Sequence, residues 1–270
     1  MTLAAKNSYN SGDLITFLAG LNALYQRTGT KSIIYQVLDL PAFYYDGAEH
    51  PIKNSEGTPV CMNNQVFEMM RPLLLTQDYI EDYVVFEGQH IDINFDDTRD
   101  RKKIPIPYGN IHHWAFFIAP ELACDLSKAW ISNRGFYSKK ISKKNKGKLI
   151  INRTSRYHNV YIHYFFLNEY EERAVFVGTD DECADFNKKW GLKIKHSPVS
   201  NFAELAATIH SGVGFLGNQS FCWHLADAMK VPRVLEYCPQ FPNCHPTGAN
   251  GYAFLYQEAL ELYVKQIFEA

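Results

Sequence analysis

Residues 12–28 carry Leu14, Phe17, Leu18, Leu21, Leu24 and Tyr25 three and four apart, the spacing of one helical face, and Gly29 follows as a stop. Residues 32–38 (Ser-Ile-Ile-Tyr-Gln-Val-Leu) then form an apolar, β-branched run of strand length. Ahead of the helix, a short first strand is expected over residues 3–5. Pro, Gly and Asn crowd residues 41–64, which read as loop, and residues 65–75 read as a short helix interrupted by Pro72. A strand over 83–86 and a helix over 120–131 complete the first half. The second half is more regular. Strands are expected at 149–152, 174–177, 213–216 and 233–236, and helices at 180–190, 202–210, 219–229 and 254–268.

Short apolar strands alternating with amphipathic helices, with no hairpin signals between them, indicate an α/β chain with parallel sheets covered on both faces. The basic run Lys139–Asn145 and the three residues after it mark a division near residue 140. The expected organisation is therefore two Rossmann-like lobes, residues 1–138 and 139–252. A closing helical segment, 253–270, is placed where it can pack back on the first lobe. Two such lobes make a cleft at the carboxyl ends of their strands, where open α/β sheets bind ligands.

Composition narrows the function classes. At 46% hydrophobic and 21% charged residues the chain can bury a sizeable core. The 18 Phe, 17 Tyr and 4 Trp serve mainly that core, although flat rings also suit carbohydrate faces. A net charge of −2 calls for neither nucleic acid nor an anionic membrane. The lysine run is the local exception and reads as a solvated linker. No stretch reaches the roughly 20 apolar residues of a membrane span, and no signal-peptide pattern opens the chain, so a cytoplasmic location is expected. The 6 Cys fit reduced thiols there. Cys222, His224, Cys238, Cys244 and His245 lie close in sequence but lack the tight pairs of a zinc site, so no metal is expected.

The richest chemistry lies in residues 215–224. A strand runs into Gly217, and a helix begins within a few residues, so its free N–H groups and partial positive charge suit a diphosphate. Asn218, Gln219 and Ser220 add side-chain donors; the alternative is that Asn218 or Ser220 simply caps the helix. Arg153 and Arg156, with Ser155 between them, follow another strand, and a guanidinium fork matches a diphosphate. Glu182 and Asp13 each stand in the first turn of an expected helix, where acids are favoured without any further role. His112 and His113 beside Trp114 suit either an acceptor contact or loop packing. The loop over residues 242–251 looks fixed, with no chemistry assigned.

In their order along the chain these segments resemble family 9 glycosyltransferases, the group that includes the ADP-heptose:lipopolysaccharide heptosyltransferases. Gly217-Asn218-Gln219-Ser220, His224 and then Val231-Pro232 are similar to the family's Gly-Asn-Asp-[Ser/Thr]-Gly-x-x-His turn, helix and Val-Pro strand. Gly178 to Glu182 resembles its Gly-x-x-x-Glu, and Gly12-Asp13-Leu14 its Gly-Asp-[Val/Ile]. The resemblance implies a GT-B-like fold and a metal-independent, inverting transfer of sugar from a nucleoside-diphosphate donor to a glycan or lipid-linked acceptor. It implies no cofactor beyond that co-substrate. Asp13 would be the base, Glu182 would bind the ribose, and Gly217, Asn218, Gln219, Ser220 and His224 would hold the donor. Gln219 departs from the family's Asp and leaves the sugar open. The chain is also shorter than typical members, so its acceptor lobe is expected to be trimmed. A catalytically silent sugar-nucleotide or glycan binder of the same fold is the alternative. An NAD-dependent oxidoreductase is disfavoured, since no Gly-x-Gly-x-x-Gly follows a strand.

Overall fold

The computed structural model describes residues 2–43, 50–100, 102–104, 109–134 and 139–269. Residues 44–49 of the expected loop and the expected lobe boundary at 138 lie outside the described residues. The first half forms a four-stranded sheet from β1 (Leu3–Asn7), β2 (Ser32–Gln36), β3 (Ile80–Val85) and β4 (Ile93–Asn94), ordered β3-β2-β1-β4. The second half forms a six-stranded sheet from β5 (Leu149–Asn152), β6 (Ala174–Phe176), β7 (Lys195–His196), β8 (Gly214–Asn218), β9 (Arg233–Glu236) and β10 (Gly251–Phe254). Its order is β10-β9-β8-β5-β6-β7. Every pairing is parallel, as the alternating pattern requires.

The helices are α1 (Ser11–Thr28), α2 (Asn64–Leu75), α3 (Trp114–Ile118), α4 (Lys139–Asn145), α5 (Asp180–Trp190), α6 (Phe202–Ser211), α7 (Phe221–Met229) and α8 (Gln257–Glu269). Four of them fill the space between the sheets: α1 packs on α7, and α2 on α6. One apolar cluster therefore runs unbroken from Ala5 and Ile34, through Phe17, Leu74, Leu205 and Trp223, to Ile150 and Phe215 of the second sheet. This explains α1. Its periodic stripe predicts one apolar face, yet Ser11 to Leu21 are all buried, because the helix is covered by its own sheet and by α7. A second cluster joins Leu149, Ile151, Phe176 and Leu216 to Phe186 and Trp190 of α5 and to Leu260, Val264 and Ile267 of α8.

Several expectations are corrected. The segment 254–268 is not one helix: Phe254 ends β10, and α8 begins at Gln257. Nor does α8 return to the first lobe, since Leu260, Val264 and Ile267 face the six-stranded sheet, with Ile267 against Gly214. Residues 120–131 form only a 3₁₀ turn, Pro120–Leu122, instead of a helix. Their backbone is drawn away: the Trp130 N–H donates to Ala228 O at 3.0 Å, and the indole N–H to Ile15 O at 2.8 Å. The lysine run is helical, and its buried Asn145 donates to Ser211 Oγ at 3.3 Å. Helix α2 passes through Pro72 unbroken, capped by Asn63 on Val66 N–H. The first sheet is not covered on both faces; Ile33 and Tyr35 alternate as half-buried residues between buried Ser32, Ile34 and Gln36. Strands β4 and β7, two residues each, are too short to leave a periodic signal. Among the described residues no helix is long and apolar enough to cross a membrane.

Strand β9 carries a fully buried charge at each end. Arg233 donates to Asp227 Oδ1 at 2.6 Å, and Glu236 accepts a two-pronged bond from Arg153 at 2.7 and 3.0 Å. Removing one partner leaves a buried charge poorly compensated, which costs roughly 3–5 kcal/mol. Arg233→Met is expected to lower the stability read from a urea unfolding curve by about that amount, whereas loss under about 1 kcal/mol would be expected if the pair contributed only what an exposed pair does.

Candidate active site

Both sheets contain a point where the strand order reverses, and open α/β sheets place ligands at such points. In the first sheet it lies between β1 and β4: β1 leads through α1 toward β2 on one side, and β4 sits on the other. In the second it lies between β5 and β8, with β6 beyond one and β9 beyond the other. The turns leaving these strands carry Asp13 at the first point, and residues 153–156 and 218–220 at the second.

The two points are joined through the meeting of α1 and α7. A Cβ on Gly12 would lie 3.0 Å from the His224 ring, so any larger residue would press that ring aside by a few tenths of an ångström. The His224 imidazole is buried, with Nε2 3.7 Å from Cys244 Sγ, and burial holds its pKa below the ordinary value. Asp13, its carboxylate 8% exposed, accepts from the Arg99 guanidinium at 2.6 Å through Oδ1. The guanidinium also lies over the rings of Tyr9 and Trp114, 5.2 and 5.0 Å from their centres.

At the second point the polar side chains are heavily used. Gly217 pairs with Asn152, and a Cβ there would meet the Asn152 carbonyl at 2.6 Å. Ser220 caps α7 through Trp223 N–H at 3.2 Å and donates to Asn152 Oδ1 at 2.9 Å. Asn218 closes the neighbouring turn: it accepts from Thr154 N–H at 3.0 Å and donates to the Arg156 carbonyl. Gln219 Nε2 donates to Phe241 O and Asn243 Oδ1, both at 3.0 Å, and so holds the loop that follows β9. Capping is thus what Ser220 does here, and bracing is what Asn218 and Gln219 do.

The remaining expected residues divide. Arg153 is buried and its fork is closed on Glu236, which also accepts from Tyr164 Oη and Asn159 N–H, each at 2.6 Å. Ser155 is exposed at the tip of the turn, and Arg156 is half-buried over the Tyr157 ring at 5.6 Å. Glu182 forms a capping box with Thr179, accepting its N–H at 3.0 Å. Burial raises the Glu182 pKa, while the Thr179 N–H and the charge of Arg156 oppose the rise. The structure therefore brings Asp13, His224, Asn218, Gln219, Ser220, Arg156 and Glu182 into one linked region and turns Arg153 inward. Among the described residues, no group of three His, Cys, Asp or Glu residues is arranged to hold a metal ion.

No protein-family model matches the chain, and no curated protein matches it significantly. Solved structures do. Escherichia coli heptosyltransferase WaaC with ADP-2-deoxy-2-fluoro heptose superposes with a TM-score of 0.63 and 9% identity, over 98% of this chain and 99% of its own. A family 9 glycosyl transferase from Veillonella parvula DSM 2008 gives 0.59 and 12%, over 98% and 88%. The iron-containing dodecameric glycosyltransferase TibC from enterotoxigenic E. coli gives 0.51 and 12%, over 87% of this chain and 57% of that one. This chain has the glycosyltransferase family 9 fold. At such identities the likeness is one of fold, and it agrees with the resemblance carried by the sequence motifs.

Within this glycosyltransferase fold, three features escape sequence reasoning. Arg99 follows a two-residue strand in a run of polar residues and leaves no pattern. Glu236 closes strand β9, and nothing local shows that Arg153 will reach it. His112 takes the packing role, reaching a buried carboxylate that nothing local in the sequence points to. It is buried between the lobes, its Nδ1 2.7 Å from Asn110 Oδ1 and its Nε2 3.6 Å from Asp227 Oδ2, with the His224 ring 5.9 Å away. The loop over 242–251 completes this lock, since Ile111 N–H donates to Asn243 O at 2.8 Å and Asn110 Nδ2 to His245 O at 3.1 Å.

Burial lowers the His112 pKa to about 3; Asp227 opposes that, while His224 and Lys230 add to it. The unfolded chain takes up this proton near pH 6.5, and the folded chain does not until about 3. Stability is therefore whole above pH 6.5 and falls as pH drops through that window, by up to about 1.4 kcal/mol per unit for this residue. Urea midpoints measured from pH 7 to 4 are expected to fall, and His112→Gln is expected to flatten that fall.

Proposed function

We propose that the chain transfers a glycosyl group from a nucleoside-diphosphate sugar to a glycan or lipid-linked hydroxyl, without a metal and with inversion at the anomeric carbon. The observation that carries the reading is the joining of two strand-reversal points, one bearing a carboxylate and the other the N-terminus of a helix, across the Gly12–His224 contact. The fold it shares with heptosyltransferases supports the same reading.

The donor diphosphate would lie at the N-terminus of α7, where N–H groups and the helix dipole favour an anion. Arg156, half-buried with its charge felt by Glu182, would neutralise the departing diphosphate. Glu182, beside it, would accept from the ribose hydroxyls. Ser155 and Gln219 would complete the donor side, with the neutral Gln219 amide replacing a carboxylate near the sugar. Asp13 would take the proton of the acceptor hydroxyl. The acceptor oxygen bonds to the anomeric carbon as the bond to the diphosphate oxygen breaks, and the electron pair leaves with the nucleoside diphosphate.

In this assignment the segment before residue 139 is the acceptor side and residues 139–252 the donor side, with α8 completing the donor lobe. The six thiols are unpaired, and burial raises several of them, Cys244 to about 12, which suits a reducing, cytoplasmic setting. The binding-only reading draws on Gln219 and on the ion pair that occupies Asp13.

A panel of ADP, UDP and GDP is expected to contain one nucleotide that raises the melting temperature by several degrees; saturation at 100 Kd adds about 2.7 kcal/mol. Asp13→Asn is expected to keep that shift and to lose at least about 100-fold in turnover of the matching nucleotide sugar. Unchanged turnover removes Asp13 from the reaction. A shift without any turnover by the wild-type protein favours the binder.

A further inference from the structure

Arg99 reaches Asp13 through a charge-assisted bond at 2.6 Å, and its own setting is built with care. It ends the 3₁₀ turn Phe95–Arg99, which directly follows β4, the strand on the far side of the first reversal point. The turn is fastened to the loop between β1 and α1. Asp96 accepts from the Ser8 N–H at 2.8 Å and the Ser8 hydroxyl at 2.6 Å, and it pairs with Lys6 at 2.8 Å. Asn94 caps the turn at the Asp96 N–H, and Phe95 stacks on Phe17 of α1 at 4.7 Å. Tyr9 and Trp114 then fix the plane of the guanidinium.

A carboxylate in the first turn of a helix has competing partners close by: the free N–H groups of that same helix, toward which an unrestrained Asp side chain turns. Turned that way, it would point along α1 rather than toward an incoming hydroxyl. A charge-assisted bond at 2.6 Å to a guanidinium held by two rings opposes that rotation. It occupies Oδ1 and so limits rotation of the carboxylate.

We propose that Arg99 is a positioning residue for Asp13, holding its carboxylate in the orientation from which Oδ2 receives the acceptor's proton. The proposal rests on Asp13 being the base. The proton passes from the acceptor hydroxyl to Oδ2, Arg99 keeps all of its own protons, and no bond to the sugar or the diphosphate involves it. Its contribution is therefore felt in the rate of transfer and not in the binding of donor.

The test uses the full chain and follows nucleoside diphosphate released from ADP-, UDP- and GDP-sugars, with water as acceptor. Arg99→Met is expected to lower kcat by about 10- to 100-fold, the cost of a misplaced catalytic group, while leaving donor KM within about two-fold. Arg99→Lys, which restores the charge on a flexible stem, is expected to recover part of that loss. In the Asp13→Asn background, Arg99→Met is expected to cause no further loss, because the group it positions is already gone. The nucleotide-induced thermal shift of each variant reports whether it is folded. Arg99→Met at the wild-type rate overturns the proposal, as does an effect on KM alone, a failure of Arg99→Lys to recover any rate, or an equal loss in the Asp13→Asn background. Asp13→Asn at the wild-type rate instead overturns the assignment of the base. A wild-type protein that releases no nucleoside diphosphate from any donor overturns the transferase reading, and the role of Arg99 with it.

Discussion

Helix α1 lies against helix α7 so closely that a single methyl group at Gly12 would strike the His224 ring. That contact decides how the rest of the chain is arranged. With α1 pressed on α7, and α2 on α6, the helices between the sheets form one continuous apolar core, and the lobes are joined through it. The same contact brings the N-terminus of α1 beside the N-terminus of α7, and so sets Asp13 next to the turn from which α7 springs. Burial of so many apolar side chains supplies the driving force. Glycine at position 12 lets the two helix ends meet without displacing the His224 ring.

Polar groups within this arrangement are organised to keep it single. Asp227 gathers Arg233, Thr247 and, from the other lobe, the neutral His112. Glu236 gathers Arg153, Tyr164 and the backbone of Asn159. Each buried carboxylate is compensated by several donors, the condition under which a charge is tolerated in a low-dielectric interior. Around the candidate site the same economy appears. Asn218, Gln219 and Ser220 spend their side chains on bracing the turns before α7 and the loop after β9. Rigid turns of this kind favour a preorganised site, in which donors are already aimed when charge develops.

Much of the architecture was legible from the order of hydrophobic runs. The buried strands β5, β6, β8 and β9 are short and apolar because both of their faces are covered, and helices α5, α6 and α7 alternate with them, so a parallel sheet follows. The motifs at Gly12, Glu182 and Gly217 stand at strand-to-helix turns because glycine and helix-terminal acids have local reasons to stand there. What escaped were elements whose signal is not local. Strand β4 is two residues long and is held in place by β1, and residues 120–131 give up a helix because their donors are claimed by Ala228 and Ile15.

The chain by itself determined its α/β class, its parallel strands and the strand-to-helix turns at which its candidate residues stand, since periodicity, glycine and helix-start residues act within a few positions of one another. Only the tertiary structure decided what each polar side chain does. Arg153 and Arg156 stand three apart in one turn, yet the first is consumed by a glutamate 83 residues away while the second lies beside Glu182. Asp13 reads as a helix-terminal acid until β4, 80 residues on, delivers Arg99 to it. The physical reason is reach: hydrophobic pattern and turn chemistry are set by neighbours in sequence, whereas the partner of a charge is set by whichever strand end the sheet order places beside it.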